Sequence, residues 1–333
     1  MEYQIQYMVE KWILSYYKTK LLVGEIMIGV SLLGTGGTLP SSKRHLTALL
    51  INIGGKKVLV DCGEGTQISM KDLGWGFKDI DVICITHVHV DHILGLPGLL
   101  LTIANSGKTT EMKIIGPQGI IAVIESLRVL FPYLPYEIEI TEISEEYGHI
   151  DISPKFAITT LQVDHSIECL GYSFYFRREG KFDIKKAIEE DVPMKIWKKL
   201  QNHEEVVLDD VKYDPNNFVG EERKGIKFSY ITDSRPTDKM IQFISNSDLF
   251  ICEGTYGDEE DGEKAIMNKH MTFSEAATLA LKGNVNELWL THFSPSMQNP
   301  EEYVSNAKNI FDNVVIPHDR QVKELKYSND DGE

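Results

Sequence analysis

The six residues His87-Val88-His89-Val90-Asp91-His92 place four metal ligands directly after the apolar run Val82–Ile85. Imidazole and carboxylate without thiolate suit zinc, manganese or iron rather than calcium. In extended backbone His87, His89 and Asp91 would share a face while His92 pointed away, so a turn into Ile93–Leu101 is needed before all four can converge. Other apolar runs end in comparable fashion. Phe156–Val163 ends at Asp164-His165, Lys227–Thr232 at Asp233, Leu249–Cys252 at Glu253 and Leu288–Thr291 at His292. The ligand candidates are therefore His87, His89, Asp91, His92, His165, Asp233 and His292. They are too many for one tetrahedral zinc, but they suit two metals about 3.5–4 Å apart with a carboxylate between them. Such a pair would lower the pKa of a bridging water toward ~7 and balance the charge of a phosphoryl oxygen.

Strands are needed to deliver these groups to one rim, which is where α/β proteins gather functional residues. Ile28–Leu33 reads as a strand entering the turn Gly34-Thr35-Gly36-Gly37. Ala48–Ile53 and Lys57–Val60 flank Gly54-Gly55 as a hairpin. Further strand patterns lie at Val82–Ile85, Met112–Ile115, Phe156–Val163, Leu170–Phe176, Ile226–Ile231, Leu249–Cys252 and Glu287–Leu290. Helical patterns intervene at Gln118–Leu130, Pro236–Ser245 and Ser274–Leu281. The alternation gives an α/β or α+β class. Leu94–Leu101 reads as buried packing behind the site, and Glu64 as a residue that fixes its loop. His149, His203 and His318 read as surface residues.

The chain has 333 residues, ordinary globular composition and a formal charge of −16. That charge excludes general electrostatic attraction to nucleic acid, so any such binding needs a local basic patch, and DNA is not an expected partner. The stretch Arg177–Lys199 supplies one, with eight basic residues against five acids, a net +3. The polar segment 202–224 that follows reads as a connector. Cys62, Cys84, Cys169 and Cys252 form no CxxC pair, which fits a reducing cytoplasm. No apolar stretch reaches the ~18 residues of a membrane span, so no membrane partner is expected. Residues 1–26 read as an N-terminal extension with an amphipathic helix through Trp12, Ile13, Tyr16 and Tyr17, and 321–333 as an acidic tail.

The chain resembles ribonuclease Z, the tRNA 3′-processing endoribonucleases of the metallo-β-lactamase superfamily. The residues that carry the resemblance are Leu33-Gly34-Thr35-Gly36, Asp61-Cys62-Gly63-Glu64-Gly65-Thr66-Gln67 and Thr86–His92. Asp164-His165, Thr232-Asp233-Ser234-Arg235-Pro236, Glu253-Gly254-Thr255, His270-Met271-Thr272 and Thr291-His292-Phe293-Ser294-Pro295 follow in the family's order. The match runs from Met27 to Pro295. The resemblance implies an αβ/βα four-layer sandwich over 27–320 with an inserted arm at about 177–224. It also implies two Zn2+ per subunit, with Mn2+ or Fe2+ as alternatives. His87, His89 and His165 would hold one ion, Asp91, His92 and His292 the other, and Asp233 would bridge them. Asp91 would act as the proton acceptor that orients the attacking hydroxide, and His270, assisted by Glu253, would protonate the leaving 3′-oxygen. The implied substrate is precursor tRNA, cut 3′ of the discriminator base by two-metal hydroxide attack, and the implied assembly is a homodimer.

Two departures stand out. The family's arm carries a Gly-Pro pair, whereas this chain has Val192-Pro193-Met194-Lys195-Ile196-Trp197. The family's 3′-end-sensing loop ends Arg-Asn, whereas this one reads Pro40-Ser41-Ser42-Lys43-Arg44-His45. A metal-dependent phosphodiesterase acting on small or generic diesters is the alternative, favoured by the acidic charge.

Overall fold

The computed structural model describes residues Met27–Tyr327, so the helix expected within 1–26 and the end of the expected tail lie outside the described residues. The described residues form two compact units, one of Met27–Tyr175 with Lys227–Leu325, the other of Phe176–Ile226 with Lys326 and Tyr327.

In the larger unit, β1 (Ile28–Gly34), β2 (Ala48–Ile53), β3 (Lys56–Val60), β4 (Ile80–Cys84), β5 (Met112–Pro117) and β6 (Ile138–Ile143) build one sheet in sequential order. The first three strands meander antiparallel and the last four run parallel. Gly54 and Gly55 turn the β2–β3 hairpin with φ of 56° and 100°, the left-handed values such a turn demands. Val322–Leu325, expected in a tail, is instead a strand (β16) paired antiparallel with β1. Its two charged residues, Lys323 and Glu324, fit a sheet edge.

The second sheet has the order β15-β14-β13-β12-β9-β8-β7. Its strands are β7 (Tyr147–Ser153), β8 (Phe156–Gln162), β9 (Leu170–Arg178), β12 (Arg223–Ile231), β13 (Leu249–Glu253), β14 (Leu288–Thr291) and β15 (Val314–Val315). Its inner face is aromatic. Phe174 stacks on Phe228 with centroids 4.6 Å apart, and the Tyr172 hydroxyl donates to the Ile85 carbonyl at the end of the first sheet, 2.7 Å away. Period-two alternation puts Ile83 and Ile85 on the opposite face of that sheet. There they meet Met70 of α1 (Thr66–Leu73), the row Leu96, Leu99, Leu100 and Ile103 of α3 (Leu96–Asn105), and Ile120 and Ile124 of α4 (Ile120–Leu127). On the far side α7 (Asp238–Ile244), α8 (Phe273–Lys282) and α9 (Val304–Lys308) bury Met240, Ile244, Phe273, Ala276 and Ala307 against Ile231, Phe250 and Leu290. The layers are thus helix, sheet, sheet, helix. The expected burial of Leu94–Leu101 holds only in part, because Leu94 is 50% exposed and Leu101 39%. Those two lie seven residues apart on the outer face of the helical segment. No helix among the described residues is long and apolar enough to cross a membrane.

The smaller unit has its own core, in which Phe182, Ile184 and Ala187 meet Trp197, Leu200, Val206 and Phe218. These residues come from α5 (Ile184–Glu189), α6 (Trp197–Gln201), a hairpin of β10 (Val206–Leu208) and β11 (Val211–Tyr213), and the segment after it. The segment read as a connector is therefore structured. Its few apolar residues, too sparse to show a period, form one wall of this core.

Candidate active site

Strand ends deliver the site, as the sequence pattern requires. After β4 the chain runs through His87 and His89 into the single helical turn α2 (Val90–Ile93), with His89 at its N-cap. That turn brings Asp91 and His92 back toward His87. Asp61 follows β3, Asp233 follows β12 and His292 follows β14, and all three adopt left-handed φ of 58°, 48° and 58°. Such backbone costs about 1–3 kcal/mol per residue outside glycine and concentrates where function demands a particular side-chain direction.

Asp233 lies at the centre. Its Oδ2 is 3.7 Å from His87 Nε2 and 3.9 Å from His165 Nε2, while Oδ1 is 3.4 Å from His92 Nε2 and 3.2 Å from His292 Nε2. His89 Nδ1 lies 3.0 Å from His87 Nε2 and 3.3 Å from His165 Nε2. Asp91 Oδ2 lies 3.6 Å from His92 Nε2 and 3.5 Å from His292 Nε2. His87, His89, His165 and Asp233 thus form one group, Asp91, His92 and His292 a second, and Asp233, His270 and His292 a third, each with ligand atoms within 4.8 Å of one another.

The groups behind these rings show what they are arranged to hold. His92 Nδ1 meets Asp61 Oδ2 at 2.9 Å, His87 Nδ1 meets Thr86 Oγ1 at 3.0 Å, and His292 Nδ1 meets Thr255 Oγ1 at 3.1 Å. His165 Nδ1 lies 3.4 Å from the Lys269 carbonyl. With one nitrogen occupied, each ring turns its other nitrogen inward as a lone-pair donor, the arrangement that fixes metal-bound histidine. Cys169 Sγ lies 3.8 Å from His87 Nδ1, on the side of the ring facing away from this centre. The donor set is imidazole and carboxylate, which fits divalent ions of the zinc, manganese or iron type.

Charge follows the same plan. Burial, reinforced by His92, holds the His87 pKa well below the usual histidine value, so the ring is neutral. Burial acts against the charged form of His292 as well, but Asp233 and Asp91 outweigh it and raise the pKa to about 9. Without a metal that ring carries a proton, which a bound cation would displace.

His270 Nδ1 lies 3.1 Å from Glu253 Oε2, and its ring stacks 5.4 Å from that of His292. Despite burial, Glu253 raises the His270 pKa. Glu253 is fully buried at the end of β13 and also accepts from the backbone N–H groups of Ser234 and Met271 and from Thr255 Oγ1. The structure therefore brings Glu253 and His270 to the ligand cluster. His149, His203, His318 and Glu64 are exposed, so Glu64 is not the residue that fixes its loop. Asp61 performs that task, accepting from Thr86 N at 2.8 Å and Thr86 Oγ1 at 2.8 Å while holding His92. Its signal in the sequence is a lone acidic residue at the end of an apolar strand, the same pattern as at Asp233 and Glu253.

A family model described as anti-Pycsar protein Apyc1 matches residues 28–217. Ribonuclease Z of Clostridium acetobutylicum is 52% identical over 308 residues, which cover 91% of this chain and all of that protein. Ribonuclease Z of Clostridium beijerinckii is 54% identical over 308 residues, with the same coverage. Among solved structures, the metallo-β-lactamase fold protein YhfI of Bacillus subtilis superposes with a TM-score of 0.66 at 20% identity, over 90% of this chain and all of that one. The sandwich described above is thus a metallo-β-lactamase fold. The chain belongs to the family that the Apyc1 model describes and, with half its residues identical to those of two clostridial relatives over nine-tenths of its length, to the ribonuclease Z family.

Proposed function

We propose that the chain is a metal-dependent endoribonuclease that hydrolyses the phosphodiester 3′ of the discriminator base of precursor tRNA. The observation that carries this reading is the two ligand groups with Asp233 between them, 3.7 Å from His87 and 3.2 Å from His292, and the Glu253–His270 pair beside them, in a chain half identical to ribonuclease Z. His87, His89 and His165 would hold one Zn2+ and Asp91, His92 and His292 the second, with Asp233 between. Divalent ions held there supply positive charge for the phosphoryl oxygens and make water a stronger nucleophile at neutral pH.

The remaining work belongs to the chain's own side chains. Asp91 Oδ2 accepts from Thr38 N at 2.7 Å, which fixes the carboxylate that orients the attacking water and takes its proton. His270, whose pKa Glu253 raises, gives a proton to the departing 3′-oxygen, an alkoxide that needs an acid. The arm's exposed lysines, among them Lys185, Lys195 and Lys198, follow phosphates of the substrate. The reading includes a homodimer in the cytoplasm. Exposed Ile68 on α1 and exposed Leu94 and Leu101 offer an apolar face for it, and Gln67 ties α1 to α3 through Gly98 O at 2.9 Å.

A 3′-extended precursor tRNA and a model phosphodiester, each with and without chelator, test the proposal. A chelator-sensitive cut at the discriminator base supports it. Turnover of the small diester alone, with tRNA left intact, would favour the second reading, which the net charge of −16 recommends.

A further inference from the structure

Asp319 lies far along the chain from any ligand motif, directly before β16, yet it is buried and spends both carboxylate oxygens on one loop at the site. Its Oδ1 accepts from Thr35 N at 3.0 Å and Thr35 Oγ1 at 2.8 Å; its Oδ2 accepts from His45 N at 2.7 Å and lies 2.9 Å from His45 Nδ1. The loop between Thr35 and His45 is thereby closed at its neck. Its first half crosses the site. A Cβ at Gly37 would overlap the His292 ring, and Thr38 N donates to Asp91. Its second half is tied down by Arg44, whose guanidinium donates to the carbonyls of Met297 at 3.0 Å and Gln298 at 3.2 Å and lies 5.3 Å from the Phe293 ring centroid. Ser41 Oγ accepts from the backbone N–H groups of Lys43 and Arg44, which tightens the tip. Leu39, Pro40 and Lys43 are left exposed on that tip.

We propose that Asp319 is a positioning residue for substrate recognition, acting through His45. The clamp sets where the loop presents Lys43 and the apolar tip to the RNA beside the scissile bond, and Arg44 serves as an internal strut rather than as a phosphate ligand. This rests on the endoribonuclease reading above. The residue at position 45 is where this chain departs from the family's Arg-Asn pattern, and here the imidazole adds a second interaction with Asp319 beyond the backbone one. An asparagine there keeps the backbone N–H bond and can place its side-chain amide near the same oxygen.

The test uses full-length protein carrying Asp319→Asn, His45→Ala, His45→Asn or the Asp319→Asn/His45→Ala pair. Amide hydrogen exchange and steady-state kinetics are measured on each. Asn at 319 keeps an acceptor for Thr35 but turns an NH2 group toward the His45 N–H. Asp319→Asn and His45→Ala should speed exchange at Ser41–Leu46, the half of the loop held through His45, and raise KM for precursor tRNA about tenfold. Turnover of a small diester should stay within about threefold. His45→Asn should stay near the unaltered protein, and the double variant should lose no more than the worse single one, the signature of coupled groups. Additive losses, or unchanged exchange in the loop, would overturn the clamp. Equal loss on tRNA and small diester would overturn the positioning role, as would loss confined to kcat. If Asp319→Asn fails to fold, the two His45 variants still decide, since alanine must loosen the loop and asparagine must not. Absence of tRNA cleavage by the unaltered protein would overturn the endoribonuclease reading instead, while the exchange data would still judge the clamp.

Discussion

Asp61 has no place among the ligand candidates, yet it governs one of them. It is fully buried, binds Thr86 and faces His92 Nδ1, so it selects the tautomer that leaves His92 Nε2 free for a cation. Asp61→Asn tolerates the left-handed backbone and removes only the charge and one acceptor. Metal affinity should fall about 10–100-fold, with the fold retained. Competition with a chromophoric chelator measures it, and unchanged affinity would show that Thr86 alone orients the ring. Glu253 poses the same kind of question for a proton. It raises the His270 pKa against the effect of burial. A general acid works only while protonated, so activity is present below that pKa and lost as pH rises through it. Glu253→Gln removes the charge that raises the pKa, so the alkaline limb of the pH–rate profile should move to lower pH by about one unit. A limb that stayed in place would assign it to another group.

At the level of elements, the strand ends and the loops that cross them decide how tightly the cluster is held. Gly37 lies against the His292 ring with no room for a Cβ, and Gly37 N donates to the Phe293 carbonyl at 3.1 Å. Gly37→Ala should therefore displace His292 or lift the loop, lowering activity on every diester about 100-fold, since small misplacements at the reacting centre are costly. The global fold should survive, because the glycine is at the rim rather than in either helix–sheet core. Circular dichroism and a small-diester assay separate those effects, and a folded, fully active variant would mean the loop yields freely. This packing is not legible in the sequence, although the ligand candidates are. Candidates such as His87 and His292 stand out because rare, chemically distinctive residues end apolar strands. Gly37, Thr255, Asp61 and Asp319 are common residue types, and their meaning comes from partners far away in the chain, 284 positions in the case of Thr35 and Asp319. For the same reason β16 escapes a sequence reading: four residues of mixed polarity become a strand only because β1 offers them an edge.

Across the whole molecule the tension is between an acidic protein and a polyanionic substrate. The formal charge is −16, yet Arg177–Lys199 carries +3 within the separately packed unit. The aromatic core of that unit explains how the stretch keeps its lysines available. Phe182, Trp197 and Phe218 pack together, and Trp197 Nε1 donates to the Val192 carbonyl at 2.9 Å. Lys185, Lys195 and Lys198 stay on the exposed surface. The role of the family's Gly-Pro pair is thus open to a different construction, one in which a small hydrophobic core displays the cations. Replacing those three lysines with glutamate turns +3 into −3 without touching the core. If they follow phosphates, KM for precursor tRNA should rise by more than tenfold at low salt. The slope of log(kcat/KM) against log salt should also flatten by roughly 0.7–0.9 for each phosphate that is no longer neutralised. Hydrolysis of a small diester should not change, since neither the ligand cluster nor its loops contain these residues. A parallel fall on both substrates would mean that the substitutions unfold the unit. An unchanged salt slope on tRNA would mean that its phosphates are met elsewhere, and would leave the basic stretch as a solvated surface.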